Sequence, residues 1–348
     1  MDRHIINDNA TLLEALGRLN SLSGEVMTLL AVNDNGVMTG TITDGDIRRN
    51  LLNGATLGSP VSNAMNRRFK YLQGDTVDVF HMRQCRQKGI TLLPHLDSQG
   101  RVKHVYDLTM TRTVLPVSAI LMAGGKGERL RPLTDSTPKP LLEIAGKAII
   151  DYNIEALAAA GIDDITVTTR YLAEQIHAHF STPVAGIQVK CVKEDIPMGT
   201  IGAASLVPRG RGDATIVMNS DLLTTISFED MYLKHIDENA DITIAAIPYV
   251  VSVPYAILAT DGNQVSAIEE KPSYSYYANA GIYIISNELL DNLSPTGRTD
   301  ATDLVAQAIN SGKRVIYFPI NGTWIDVGSP TDFKQAQDLM RHHHDLTK

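Results

Sequence analysis

The residues best equipped for chemistry lie in one short stretch. Ala123-Gly124-Gly125-Lys126-Gly127-Glu128-Arg129-Leu130-Arg131-Pro132-Leu133-Thr134 is followed closely by Pro138-Lys139-Pro140. Gly124, Gly125 and Gly127 leave backbone N–H groups free to approach an anion, and a helix opening after such a loop adds partial positive charge. Arg129, Arg131 and Lys139 fall within 11 positions, enough cationic charge to gather around a polyphosphate. Two other phosphate loops fail on spacing. A dinucleotide G-x-G-x-x-G needs glycine where Leu130 stands, and Gly146-Lys147-Ala148 lacks the upstream glycine and the hydroxyl of a Walker A loop.

Two of the 39 acids could act beside these cations, although on the residues alone each also reads as an ordinary solvated acid. Asp221 follows the apolar run Ala214-Thr215-Ile216-Val217-Met218, and Asp326 sits within Trp324-Ile325-Asp326-Val327-Gly328. An acid just past the end of a buried strand suits a hard cation that bridges phosphates, and Mg²⁺ asks for only one or two carboxylates. Glu269-Glu270-Lys271-Pro272 offers an ammonium with neighbouring acceptors, and Pro197-Met198-Gly199-Thr200 reads as a turn with a helix opening at Thr200. No Ser/His/Asp order or Cys/His pair has supporting context, so covalent nucleophilic catalysis is not suggested.

The elements that must hold these groups alternate. Strands are expected at 117–122, 164–169, 187–192, 214–219, 242–247, 255–260, 264–269, 280–285 and 314–318. Ile150, Ile154, Leu157 and Ala158 mark one helix face, and Leu172, Ile176 and Phe180 mark another. This is the pattern of an α/β fold with a mainly parallel sheet, which binds ligands at the carboxyl ends of its strands. Ahead of it, an offset of about 64 aligns Thr28-Leu29-Leu30 with Thr91-Leu92-Leu93 and Asp34-Asn35-Gly36 with Ser98-Gln99-Gly100, a weak internal duplication. Each copy reads as helix, strand, turn and strand.

Composition limits the alternatives. In 348 residues, 31 basic and 39 acidic side chains leave a net charge of −8, with no footprint for nucleic acid or an anionic membrane surface. Residues 1–115 hold 13 basic against 11 acidic side chains, so the acidic excess belongs to 116–348 and the chain is expected to divide there. Cys85 and Cys191 fit neither a disulfide framework nor a paired metal motif. No signal-like or membrane-spanning run is found, and a cytoplasmic location is expected.

From Leu121 to Pro140 the chain resembles the sugar nucleotidyltransferases (nucleotide-diphospho-sugar pyrophosphorylases), meeting L-x-x-G-G-x-G-x-R-L-x-P-L-T and then P-K-P. The match continues through Pro197–Ala203, Asn219-Ser220-Asp221, Glu270-Lys271-Pro272, Asn279-Ala280-Gly281-Ile282-Tyr283 and Trp324–Gly328. The resemblance implies a Rossmann-like transferase fold with a mixed, mainly parallel sheet over 116–348. It implies Mg²⁺ on Asp221 and Asp326, with Arg129 and Lys139 completing the catalytic set. Gly124, Gly125, Gly127, Arg131, Gly199, Glu270, Lys271, Asn279 and Gly281 are then the substrate-binding positions. The implied partners are a nucleoside triphosphate and a sugar 1-phosphate. Pro-Met-Gly-Thr-Ile-Gly-Ala looks more like the P-L-G-T-A-G-A form of guanylyltransferases than the P-D-G-L-A-Q form of thymidylyltransferases, which favours GTP.

About residues 5–113 resemble tandem CBS domains (a Bateman module), a smaller α/β pair. Gly40-Thr41-Ile42-Thr43-Asp44-Gly45-Asp46-Ile47 meets G-h-h-T-x-x-D-h, which implies that Thr43 and Asp46 take the ribose and phosphate of an adenine nucleotide. The second copy has His104 where the hydroxyl belongs. A structural pair that dimerises the chain, its acids capping a helix from Gly45, is the alternative, and a homo-oligomer is expected. The fusion is similar to the glucosamine-1-phosphate guanylyltransferases of legionaminic acid biosynthesis. Mannose-1-phosphate guanylyltransferase is the second reading, and a nucleotide sensor with an inactive transferase-like platform is the third.

Overall fold

The structure, a computed structural model, describes residues 2–346. The chain divides into two compact units, Met1–Pro116 with Ala159–Gly161, and Val117–Ala158 with Ile162–Lys348.

In the first unit, β1 (Ile5–Asn7), α1 (Leu12–Ser21), β2 (Thr28–Val32), β3 (Met38–Thr43) and α2 (Asp44–Leu52) precede β4 (Leu72–Gln73), α3 (Val79–Gln87), β5 (Leu92–Leu96) and β6 (Val102–Asp107). The duplication is visible in the pairing. β1 lies parallel to β2 and β2 antiparallel to β3, while β4 lies parallel to β5 and β5 antiparallel to β6. Both hairpins carry an irregularity at the matching place, Ala31/Val32 and His95/Leu96. Leu12, Ala15 and Leu19 form the buried stripe of α1, and Val79, Met82 and Cys85 that of α3. The copies part after their last strands. The first continues into α2, which starts at Asp44 with Thr43 as its cap, one residue earlier than expected. The second ends in a turn in which the Thr109 N–H and hydroxyl both donate to Asp107.

The second unit is built on a seven-stranded sheet. Its elements in chain order are β7 (Ser118–Ala123), β8 (Glu143–Ile144), β9 (Lys147–Ala148), α4 (Ile149–Ala159), β10 (Ile165–Thr169), α5 (Ala173–His179), β11 (Lys190–Lys193), β12 (Ala214–Asn219), β13 (Leu222–Thr224) and α6 (Phe228–Asp237). There follow β14 (Ile242–Ser252), β15 (Ile257–Asp261), β16 (Gln264–Glu269), β17 (Ser273–Ser286), α7 (Asn287–Asp291), α8 (Ala301–Asn310), β18 (Val315–Pro319), β19 (Trp324–Asp326) and α9 (Pro330–Leu346). The strand order is β11-β10-β7-β12-β17-β14-β18. β17 runs antiparallel to both neighbours, and the other pairings are parallel, a mixed, mainly parallel sheet. Both faces of its centre are covered, so β7 and β12 are buried along almost their whole length. Ile120, Val217, Ile242 and Ile285 join Leu290 and Leu304 in one core, while Leu130, Ile149, Leu223 and Val327 anchor another.

Two expectations are corrected here. β14 and β17 run past residues 247 and 280 into a two-stranded arm that pairs Pro248–Ser252 with Ser273–Tyr277, continued by the β15–β16 hairpin. These extensions were hidden because their residues are mostly exposed and lack a buried face to impose an apolar period. No α-helix opens after the glycine loop or at Thr200. The chain there forms only short 3₁₀ turns, Glu128–Leu130 and Gly202–Leu206, so the loop does not run on into an α-helix. Among the described residues no helix is long and apolar enough to cross a membrane.

Candidate active site

Sheet register brings the chemistry together. β7 and β12 are parallel neighbours with Met122 opposite Asn219. The loop leaving β7 and the Ser220-Asp221 step leaving β12 therefore emerge side by side at the carboxyl ends of the central strands. Asp326 arrives separately. β19 pairs antiparallel with β13, Leu222 opposite Asp326, and the Val327 N–H donates to the Asp221 carbonyl at 3.1 Å. This ribbon holds two carboxylates distant in sequence against each other.

Between them stands Lys139. Its position is set by Pro138 and Pro140 around a 3₁₀ turn, and its side chain is only 11% exposed. The ammonium pairs with Asp221 Oδ2, and Asp326 Oδ1 lies 3.5 Å away. Asp221 Oδ1 and Asp326 Oδ1 are both buried and accept no hydrogen bond. Burial and the neighbouring Asp221 push the Asp326 carboxyl up, against Lys139 and Arg129. Two buried carboxylate oxygens without donors, beside one ammonium, fit a hard divalent cation with oxygen preference such as Mg²⁺. Among the described residues no cluster of three or more His, Cys, Asp or Glu side chains offers a richer cage.

The loop is shaped by what it touches. A side chain at Gly124 would place its Cβ 2.4 Å from Glu194 Oε1. Gly127 has φ +63°, and a Cβ there would crowd Thr134 and Lys139. The turn is locked by Thr134 Oγ1 donating to the Gly127 carbonyl at 2.8 Å. Glu194 is itself buried, which raises its carboxyl above the usual range, while the Met198 N–H and Arg170 act in the opposite sense.

A cleft of about 650 Å³ runs along these groups, lined by Gly124, Gly125, Gly127, Arg129, Lys139, Gly199 and Asp221. A second of about 480 Å³ shares Met122, Thr200, Asn219 and Arg298 with it and is lined by Asn279, Gly281 and Asp326. There Asn279 donates to the Tyr283 hydroxyl at 2.7 Å and accepts from the Gly281 N–H at 2.9 Å, and Trp324 donates to the Ala280 carbonyl at 2.9 Å. Three sequence-selected residues are not brought in. Arg131 is exposed and paired with Asp135 at 3.2 Å, and Glu270 and Lys271 occupy the exposed turn between β16 and β17, outside both clefts.

Thr43 and Asp46 lie in the first unit, bound to each other. The Thr43 N–H donates to Asp46 Oδ2 at 2.9 Å, its hydroxyl donates to the same oxygen at 2.7 Å, and the Asp46 N–H reaches back to Thr43 Oγ1 at 3.3 Å. Asp46 Oδ1 pairs with Arg49. The two groups form a reciprocal helix cap.

Sequence reasoning passed over Lys126, Arg170, Glu194 and Arg298, all of which line the larger cleft. Arg170 was reachable, because it lies just past the end of β10, much as Asp221 lies just past the end of β12. Arg298 lies in the loop before α8 and offered no local signal.

Residues 118–343 match the model of the family described as Nucleotidyl transferase. The mannose-1-phosphate guanylyltransferase of Mycobacterium tuberculosis is 32% identical over 234 residues, 65% of each chain. The mannose-1-phosphate guanylyltransferase catalytic subunit beta of Dictyostelium discoideum is 30% identical over 232 residues, 64% of each. The chain thus spans less than two thirds of these relatives' length. HddC from Yersinia pseudotuberculosis shares the fold with a TM-score of 0.52 at 23% identity, over 64% of this chain and 99% of that one. Glycine loop, paired carboxylates and mixed sheet all fall inside the matched segment, and the chain belongs to the nucleotidyl transferase family.

Proposed function

We propose that the second unit transfers a nucleotidyl group from a nucleoside triphosphate, GTP in the first instance, to a sugar 1-phosphate. A phosphate oxygen of the sugar attacks the α-phosphorus in line, the bond from that phosphorus to the bridging oxygen breaks, and pyrophosphate leaves with its electron pair. The attacking oxygen is already anionic at neutral pH, so no protein nucleophile or base is needed. The protein has to overcome the repulsion of two polyanions and hold them aligned.

One observation carries this reading: the Asp221 and Asp326 carboxylates converge on Lys139, each with a buried oxygen that accepts no hydrogen bond, beside the glycine-loop cleft that Asp221 lines. Asp221 and Asp326 are placed to hold Mg²⁺, which when bound would screen phosphate charge and polarise the α-phosphate. Backbone N–H groups of Gly124, Gly125 and Gly127 cradle the triphosphate. Lys139 and Arg129 neutralise it and the departing pyrophosphate. Asn279 and Gly281, on the strand that enters from the opposite direction, border the space left for the sugar.

Glucosamine 1-phosphate is the sugar favoured by the resemblance to the fused guanylyltransferases of legionaminic acid biosynthesis. Mannose 1-phosphate is the second reading, favoured by what the relatives at 30–32% identity are named for. For the first unit, the reciprocal cap already gives Thr43 and Asp46 a structural role, and the adenine-nucleotide reading would draw on the acceptor site that Asp46 keeps.

The test is pyrophosphate release from each of five nucleoside triphosphates with glucosamine-, glucose-, mannose- and N-acetylglucosamine 1-phosphate, in Mg²⁺ buffer. Release with one sugar phosphate and GTP supports the proposal, and no release with any pair overturns it. Asp221→Asn, checked by circular dichroism for an intact fold, is expected to lose at least about 100-fold in turnover, on the scale of removing one stabilising group.

A further inference from the structure

The position of Lys139 has a consequence for the order in which ligands bind. Its ammonium lies between the two carboxylates and is almost closed off from solvent. Arg129 adds a second positive charge near Asp326, its guanidinium packed close to Gly328. Two carboxylates, Lys139 and Arg129 make a cluster with no net charge. A divalent ion placed in it meets two cations at close range, in a site where charge is poorly screened. It can be held well only if Lys139 leaves, and the phosphate chain cradled by the glycine loop beside it gives its ammonium a place to go.

We propose that Lys139 is the resident counter-ion of the Asp221–Asp326 pair and the gate that makes divalent-cation binding depend on the triphosphate. Without nucleotide the lysine fills the cation's place. A polyphosphate draws the lysine off the carboxylates and frees them, so that cation and nucleotide bind with positive cooperativity. The inference rests on the reading of this cleft as a metal and triphosphate site, and adds to it an order and a coupling residue.

The test uses the full-length protein and Mn²⁺ as the probe, without nucleotide, with binding measured by loss of the free-ion paramagnetic resonance signal. Lys139→Gln is expected to bind Mn²⁺ at least tenfold more tightly than the unaltered protein, whereas Lys139→Arg, which keeps the charge, is expected to stay weak. Asp221→Asn in the Lys139→Gln background is expected to abolish the gain.

A second measurement needs no variant. Acetylation of Lys139, followed by peptide mass spectrometry, is expected to be slow in the metal-free protein and to accelerate once Mn²⁺ is raised far enough to occupy the weak nucleotide-free site. Equal Mn²⁺ affinity in the unaltered protein and Lys139→Gln, a gain of the same size in Lys139→Arg, or an acetylation rate that Mn²⁺ leaves unchanged each overturns the gate. If Asp221→Asn still weakens Mn²⁺ binding in those cases, the metal-site reading stands and only the gate falls. If Asp221→Asn has no effect either, both fall.

Discussion

Gly124 and Gly125 are neighbours in the loop with opposite tolerances. A Cβ at Gly124 would meet Glu194 Oε1 at 2.4 Å, whereas nothing lies within 4 Å of one at Gly125. Glu194 is only 5% exposed, so its carboxylate has little room to swing aside, and the loop itself must shift. Gly124→Ala is therefore expected to lower the melting temperature by several degrees, in line with about 2–4 °C per kcal/mol for a unit of this size, and to weaken nucleotide binding at least tenfold. Gly125→Ala is expected to melt within about 1 °C of the parent on the same scale, which differential scanning fluorimetry can check. At this scale the sequence was informative where function sits in a short contiguous pattern. Gly124, Lys139 and Asp221 all line the cleft. It was silent where a side chain reaches the cleft from a distant loop, as Arg298 does. It misled at Arg131, which lies within the cation cluster by spacing yet turns to Asp135.

The helices and strands show what local chemistry can and cannot specify. α2 starts where Thr43 and Asp46 satisfy each other's backbone donors. Thr43→Ala is expected to cost about 1 kcal/mol in guanidinium unfolding, the usual worth of such a cap. Within α6, His235 is buried and shares a 2.8 Å hydrogen bond with the Thr243 hydroxyl on β14. Burial lowers its pKa from the ordinary 6.5 to about 4, with Asp241 opposing. The folded protein keeps the ring neutral while the unfolded chain takes up the proton. The stabilisation is therefore complete above pH 6.5 and fades as pH falls toward 4, by about 3 kcal/mol at most. Unfolding free energies measured across that range should fall for the parent and flatten in His235→Gln. The central strands were legible because burial on both faces leaves a continuous apolar run, as in Ala119-Ile120-Leu121. The arm was not, since its outer residues answer to no core. The 3₁₀ turn at Glu128–Leu130 was misjudged as a helix because glycines free the backbone to approach an anion without dictating the conformation of the next residues.

For the molecule as a whole, the structure divides the chain after Pro116, and the α/β class was legible as an alternation of strand and helix patterns. The arm is the feature composition concealed. Tyr249, Tyr255, Tyr276 and Tyr277 are each more than half exposed, and Leu258, Val265 and Ile268 are as well. A surface this apolar is unusual on a folded protein. The native protein is expected to bind the dye ANS, with fluorescence falling at least twofold when Tyr249 and Tyr276, opposite each other in the ladder, are both replaced by glutamate. An unchanged signal would place the dye elsewhere.

The β13–β19 ribbon has a last consequence, for incomplete chains. It joins an acid just past β12 to one that ends β19, more than a hundred positions later. A polypeptide still on the ribosome, or one clipped by a protease anywhere upstream of Asp326 and stripped of the remainder, carries the glycine loop and one carboxylate without its mate. Such a fragment holds Asp221 without the Asp326 carboxylate that completes the proposed divalent-ion site. On the proposed reading, the divalent-ion site is therefore complete only when nearly the whole second unit is present and paired.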